Sequence, residues 1–290
     1  MNPKSIKSFY NKFPYPNFTI SSIADLVKLP SQQFFYNLTK LYCKTGNVLD
    51  AGCGTGELAL VFSHKGYKSF GIDITEKPLE IARKVAKKLT LPVSFKKMDV
   101  LKLKYPKDFF DVTIANGVLH HTKNPLLGFE NLVRVTKPEG IIIIVLYNKY
   151  GSLARKFFGK AVDLLVGGAN IKGVTLIRKL TGKKYASVSD SVIADTFFNP
   201  YETSFSIGEV FGWFNKYGIE YLESAPPIEI SLYPSIITNV FKNKSPYQIM
   251  LDARSSLPRS NPGSLSSFLV QLLWLVTAKG NVFLIIGKKH

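Results

Sequence analysis

Apolar and polar positions in the first half of the chain follow two alternating periods. Short β-rich runs stand at Asn47–Ala51, Lys68–Ile74, Val93–Met98 and Phe109–Asn116, and helical patterns lie between them. After Thr75, a suitable N-cap, the stripe Leu79, Ala82, Val85, Ala86 and Leu89 opposes Arg83, Lys84, Lys87 and Lys88, which predicts a helix with a solvated charged face. A shorter helix is predicted from Glu57 to His64, stopped by Gly66, and a third begins at Asn124-Pro125 and runs to about Thr136. Lys137-Pro-Glu-Gly140 reads as a turn. Ile141–Tyr147 is so continuously apolar that it predicts a central strand covered on both faces. Such alternation predicts a doubly wound α/β core built on a parallel sheet.

The second half is less regular. Two helical patterns occupy 149–200, and Ser206-Ile-Gly-Glu209 is a capping box that opens a helix (Val210, Phe211, Phe214, Tyr217) ended by Gly218. Ile219–Ser224 reads as a strand, and residues 226–262 give no assignment. Phe268–Ile286 is long enough to approach a bilayer span, but Lys279-Gly280-Asn281 interrupts it; a helix, a turn and a buried strand at Val282–Ile286 are expected instead. The expected organisation is an N-terminal arm (1–40), a core (41–148), a basic helical insertion (149–204), and the end of the sheet (205–290) with a second insertion near 226–267.

Composition narrows the setting. Cys43 and Cys53 are too few for a disulfide framework and lack zinc-site spacing, so no metal is expected and a reducing cytoplasm is the expected location. Met1–Tyr10 carries no apolar run of the secretory kind. The net charge of +18 favours phosphate-bearing partners, yet of 38 basic residues only 6 are arginine, the side chain best shaped for specific oxyanion contacts. Between Lys149 and Lys184 stand nine basic residues and the single acid Asp163. That segment is either a docking surface, for nucleic acid or for an anionic membrane, or a solvated lysine-rich face.

The chemistry-bearing segment is Val48-Leu-Asp-Ala-Gly-Cys-Gly-Thr-Gly-Glu57. An acid ends a strand, glycines follow at 52, 54 and 56, and a helix begins, so the backbone turns tightly and leaves free N–H groups at the helix start. Asp73 closes the second strand, where a carboxylate accepts hydrogen bonds from two ribose hydroxyls. A nicotinamide dehydrogenase also has a glycine loop with a later acid. Three details favour a cationic cofactor without phosphate: the spacing G-x-G-x-G, Asp50 two residues ahead of the first glycine, and a further acid, Asp99, after the third strand. A tyrosine-lysine pair, Tyr36 and Lys40, has the spacing of short-chain dehydrogenases but precedes the loop.

Val48–Leu60 resembles the first motif of class I S-adenosylmethionine-dependent methyltransferases, Gly71-Ile-Asp73 the second and Lys97-Met-Asp99-Val100 the third. Phe110–Asn116 with Val118-Leu-His-His121 resembles the fourth, and Leu132–Ile144 the fifth. The resemblance covers about 100 residues and is of the small-molecule or lipid-modifying type. It implies a Rossmann-like seven-stranded sheet whose last strand is antiparallel, with helices on both faces and insertions in the C-terminal half. Ile219–Ser224 and Val282–Ile286 are the candidates for its final two strands. It also implies roles. Gly52, Gly54 and Gly56 would line the methionine end of S-adenosyl-L-methionine, with Asp50 near its ammonium. Asp73 would hold the ribose, Ile74 and Val100 pack on the adenine, Asp99 take its amino group, and Asn116 and Gly117 form the floor beneath the sulfonium. Tyr10, Phe13 or Tyr15 would close as a lid, or would pack the N-terminal arm on the core.

An activated methyl needs alignment more than acid–base help, and His120 or His121 after the fourth strand is the candidate base. Being adjacent, the two are not expected to point inward together. Tyr147, Asn148, Asp195, Tyr201 and Glu202 are weaker candidates for the acceptor pocket. The first reading is methyl transfer to a small-molecule or lipid-like acceptor beneath a 149–204 cap, with peripheral contact to an anionic membrane through the apolar residues Phe157, Phe158, Val162 and Leu164–Val166. The second is an RNA or protein methyltransferase docking through 149–184. A catalytically silent binding fold is the third. The oligomeric state is open.

Overall fold

The computed structural model describes residues 3–16, 18–167, 171–182, 188–199, 201–226, 228, 269–271 and 282–290. Lys183 and Lys184, residues 229–267 of the second insertion, and Phe268 with 272–281 of the apolar run lie outside the described residues. Among the described residues no helix is long and apolar enough to cross a membrane.

The chain divides into two compact units, one of residues 1–37, 47–104 and 153–202 and the other of 38–46, 105–152 and 203–290. The first holds α1 (Pro3–Lys12), α2 (Ile23–Val27), most of α3 (Pro30–Lys40), β1 (Asn47–Ala51), α4 (Glu57–His64), β2 (Lys68–Asp73), α5 (Glu76–Lys88) and β3 (Val93–Lys97). The β1–β2 and β2–β3 pairs are parallel. Its core joins Ala59, Leu60 and Val61 of α4 to Leu79, Ala82 and Ala86 of α5 and to Phe95. The expected stripe of α5 therefore faces inward as the 3.6-residue period requires.

The second unit contributes β4 (Phe110–Asn116), α6 (Pro125–Val135), β5 (Thr136–Tyr147), α10 (Ile207–Lys216), β6 (Ile219–Ala225) and β7 (Val282–Lys289). β4 and β5 are parallel, while β7 runs antiparallel to both β5 and β6. The seven strands are ordered β3-β2-β1-β4-β5-β7-β6, the expected sheet with its last strand reversed. Asn124 caps α6 by accepting from Leu127 N at 3.1 Å, and the capping box at Ser206 and Glu209 opens α10. Gly287 is required where β7 passes α10, because a Cβ there would lie 2.3 Å from Ile219 and 2.7 Å from Phe214.

Three local expectations are corrected. Lys137–Gly140 is not a free turn: β5 begins at Thr136, and the ladder steps from Phe110–Thr136 to Val112–Ile141 across a bulge in which Glu139 takes φ +62. Bulges absorb extra residues this way and retain the strand. Among its described residues the 149–200 region has three helices where two were expected, α7 (Leu153–Val166), α8 (Ile171–Thr181) and α9 (Asp190–Phe198), all in the first unit. Thr75 stands at the N-cap of α5, but its hydroxyl does not cap the helix; Asp73 competes for it.

Candidate functional site

The loop after β1 is folded onto β2 before anything else is added. Gly52 N and Cys53 N both donate to the Ile72 carbonyl, at 2.7 and 2.8 Å, so the chain reverses over the end of the neighbouring strand. Gly54 has φ +52, and its absent Cβ would lie 2.1 Å from the Tyr15 carbonyl oxygen. That oxygen accepts from Thr55 N at 3.1 Å, so the N-terminal segment crosses the loop where only glycine fits. Gly56, with φ +86, is held for packing: its Cβ would meet Ala82 and Phe95, each at 2.7 Å.

Around this loop the first unit gathers three carboxylates. Asp73 accepts from Gly54 N at 3.1 Å through one oxygen, and from Thr75 N at 2.8 Å and the Thr75 hydroxyl through the other. Glu57, buried at the first position of α4, accepts from the Thr55 hydroxyl at 2.6 Å and from Phe18 N at 3.3 Å. Asp50 is buried at the end of β1. Burial, followed by the fields of Glu57 and Asp73, pushes the Asp50 carboxyl from 3.8 up to about 8. Burial also raises Glu57 and Asp73, against hydrogen bonds from Thr55, and from Thr75 and Gly54, that act the other way. A cation placed beside such carboxyls would favour their charged forms and lower their pKa values.

The sign of the resulting pH dependence follows. Between pH 3.8 and about 8 the folded chain holds a proton on Asp50 that the unfolded chain has lost. The unliganded protein should therefore lose stability as pH rises through that window, and level off above it. A cation bound beside Asp50 lowers its pKa, so binding at pH 7 is expected to release about one proton. Calorimetry of S-adenosylhomocysteine binding in buffers of different ionisation enthalpy measures this; heats independent of buffer would show that Asp50 faces no cation.

The remaining adenosine-side candidates belong to the same unit. Met98 N donates to the Asp73 carbonyl at 2.9 Å, and Asp99 accepts from Leu101 N at 2.9 Å, capping a one-turn helix that buries Val100. Ile74 sits partly exposed between Asp73 and Thr75. The aromatic arm is fastened rather than loose. Phe9 and Phe13 are buried with Val162, Val174, Ile177, Ile193 and Phe198 of α7–α9, so Phe13 packs the arm. The Tyr10 hydroxyl donates to Asp195 Oδ1 at 2.7 Å and accepts from Asn199 Nδ2 at 2.9 Å. Although Tyr15 remains 37% exposed, its hydroxyl is raised well above the usual phenol range by desolvation, then by Asp195 and Glu57.

The second unit carries the other candidates. Asn116 ends β4 exposed, and Gly117, with φ +75, has open space where its Cβ would be. Leu119–His121 is a single 3-10 turn, and both histidines are buried, 1% and 6% exposed, which corrects the expectation that only one turns inward. The wide Tyr147 ring covers both, with centroids 4.3 Å from His120 and 5.8 Å from His121. Thr203 N holds the His120 carbonyl at 2.8 Å. Asn148 is buried and accepts from Tyr150 N at 3.2 Å. Among the weaker candidates, Glu202 is bound by Arg155 within the first unit, and Tyr201 N donates to Asn199 at 3.1 Å. Glu57 and Thr75 were missed as site residues, though an acid directly after the third glycine was a visible signal for the first.

Residues 44–172 match a family profile described as a methyltransferase domain. Residues 44–172 are a class I S-adenosylmethionine-dependent methyltransferase domain. The chain is 30% identical over 113 residues to the ubiquinone biosynthesis O-methyltransferase of Actinobacillus pleuropneumoniae serotype 5b, covering 35% of this chain and 46% of that one. It is 32% identical over 127 residues to the enzyme of the same name from Histophilus somni, covering 42% and 50%. The chain thus spans about half the length of the curated relatives it matches. Among solved structures it resembles the YcgJ protein of Bacillus subtilis (TM-score 0.51, 17% identity, 90% of this chain and 98% of that one). It also resembles the [4+2]-cyclase SpnF (TM-score 0.51, 15% identity, 99% and 91%). Those two likenesses concern the fold, which by itself fixes no reaction. The cofactor of the domain is S-adenosyl-L-methionine, and Asp50 and Glu57, buried beside the glycine loop, are acids suited to a ligand that carries positive charge.

Proposed function

We propose that this methyltransferase transfers the methyl group of S-adenosylmethionine to an oxygen of a small-molecule or lipid-like acceptor. The observation that carries the reading is the ring of Asp50, Glu57 and Asp73 around the glycine loop, whose raised carboxyls suit a cationic, phosphate-free cofactor. When bound, that cofactor supplies a methyl already activated by its sulfonium.

The chain's own residues hold and orient. Asp73 is fixed by Thr75 and Gly54 with lone pairs left for ribose hydroxyls, Asp50 faces the ammonium, and Gly52, Gly54 and Gly56 shape the turn. Ile74 and Val100 pack on adenine, Asp99 takes its amino group, and Asn116 and Gly117 form the floor. Tyr10 and Tyr15 exclude water from above the loop. Alignment of this sort supplies roughly 7 to 11 kcal/mol of the barrier. Where an acceptor hydroxyl must lose its proton, His120 or His121 would add about 10² to 10⁴ in rate, each ring already oriented by Tyr147.

The acceptor class is supported by the O-methyltransferase relatives. An RNA or protein acceptor docking on 149–184 draws less support, because Lys149 pairs with Glu209, Arg155 and Lys156 with Glu202, and Arg178 with Asp190. Incubation of the protein with methyl-labelled cofactor and a fractionated cell extract tests the reading. Label in the small-molecule or solvent-extractable lipid fraction is expected. Label confined to RNA or protein would establish the second reading instead, and none in any fraction would remove both.

A further inference from the structure

The two helices α7 and α8 bury one face each, and α7, with the first residue of α8, leaves a second apolar face uncovered. Inward go Val162 of α7 and Val174 and Ile177 of α8, into the cluster with Phe9 and Phe13. Outward, Phe157 is 72% exposed, Leu164 86%, Leu165 77%, and Ile171 and Leu180 57% each. Phe157, Ala161, Leu164 and Leu165 follow helical spacing, so they form one stripe, and Leu164, Leu165 and Ile171 fall at the end of α7 and the start of α8. Single exposed leucines are ordinary on protein surfaces; Phe157, Leu164 and Leu165 on one stripe with Ile171 at the start of the next helix are not, while Leu180, nine residues past Ile171, lies on the opposite flank of α8.

Charge identifies the occupant. Arg155, Lys156 and Arg178 are taken by Glu202 and Asp190. Exposed Lys160, Lys172 and Lys179 form no ion pair among the described residues, and the one unpaired acid described on these two helices is Asp163. Long apolar side chains flanked by lysines match a surface that is apolar inside and negative at its rim. The chain's net charge of +18 strengthens that attraction at a distance. A second copy of the same basic surface would instead bring like charges together.

We infer that the exposed face of α7 and α8, centred on Leu164, Leu165 and Ile171, docks on an anionic lipid bilayer. Leu164 and Leu165 enter the acyl boundary while Lys160, Lys172 and Lys179 meet the headgroups. This attachment is independent of the acceptor's identity, so it stands or falls apart from the methyl-transfer reading.

Co-sedimentation with vesicles of phosphatidylglycerol and phosphatidylcholine, against phosphatidylcholine alone, tests it. Binding is expected to the anionic vesicles only, at least tenfold weaker at 0.5 M salt, where screening is strong. The L164D/L165D variant should lose at least tenfold in partitioning, as should K160E/K172E/K179E. All these positions are exposed, so melting temperature and S-adenosylhomocysteine affinity should be unchanged, which separates lost docking from lost fold. Absence of wild-type binding at low salt would overturn the inference, as would binding undiminished in either variant. So would light scattering that shows a dimer dissolved by L164D/L165D, since the face would then belong to a second copy.

Discussion

Replacing Asp73 with alanine is expected to weaken S-adenosylhomocysteine binding by between about a hundredfold and about ten-thousandfold. The magnitude follows from two losses. A carboxylate that accepts two ribose hydroxyls gives up two charge-assisted hydrogen bonds, each about 1.5 to 3 kcal/mol, and about 1.4 kcal/mol is a factor of ten. The same side chain also holds the glycine loop, through Gly54 N at 3.1 Å, and the start of α5, through Thr75 N at 2.8 Å. Three further variants separate binding from scaffolding. Asp73→Asn keeps an acceptor for Gly54 or Thr75 but loses the charge, and should fall between wild type and alanine. Thr75→Ala removes only the hydroxyl that steadies Asp73, and should cost tenfold or less. Glu76→Gln lies next in sequence in an exposed pair with Arg83, and should leave affinity unchanged. Calorimetry reads all of them, and near-normal affinity in Asp73→Ala would show that the ribose is held elsewhere.

Legibility in the sequence tracked how local the controlling interactions are. Strands β1–β4, the stripe of α5, the cap at Asn124 and the capping box at Ser206 each depend on residues within a few positions, and the structure places them as read. Both closing strands were also visible, since Ile219–Ala225 and Val282–Lys289 are apolar enough to be buried in a sheet. What the pattern could not show were pairings across long separations. Asp195 read as a candidate for the acceptor, but its carboxylate is occupied by Tyr10, 185 residues away. Thr75 was legible as a helix start, but not as a donor to Asp73, because a threonine at that position satisfies either partner equally well by sequence. The two histidines read as alternatives because adjacent side chains diverge; both are buried all the same, because the Tyr147 ring, 26 residues on, packs against each. In the candidate site, the glycines and acids were legible as a set, while the packing that also fixes them was not: a Cβ at Gly56 would meet Ala82 and Phe95, both far along the chain.

The same limit applies to Glu202, whose partner lies 47 residues earlier and whose loss carries the second large expected effect. Arg155 grips it bidentately, Nη2 to Oε1 at 2.6 Å and Nη1 to Oε2 at 2.9 Å, with side chains only 7% and 10% exposed, and Nη1 also donates to the Thr196 carbonyl. Breaking a buried pair from one side strands the other charge in low dielectric, at about 3 to 5 kcal/mol. Lys156, 3.4 Å from the same carboxylate and 34% exposed, offers partial relief to Glu202. Arg155→Ala should therefore lose about 3 kcal/mol. Glu202→Ala, which leaves the guanidinium with the Thr196 carbonyl and no carboxylate, should lie toward the upper end. Both are measured by chemical denaturation, and hydrogen exchange should accelerate first in α7 and α9, which Arg155 ties together through the Thr196 carbonyl, and in the segment that carries Glu202. The double variant R155M/E202L removes both desolvation costs at once, and should recover most of the lost stability. A loss under about 1 kcal/mol in both single variants would mean that the pair behaves as an exposed one. The anchoring of α7–α9 to the N-terminal arm would then rest on the apolar cluster around Phe9, Phe13 and Phe198 and on the hydrogen bonds of Tyr10 to Asp195 and Asn199.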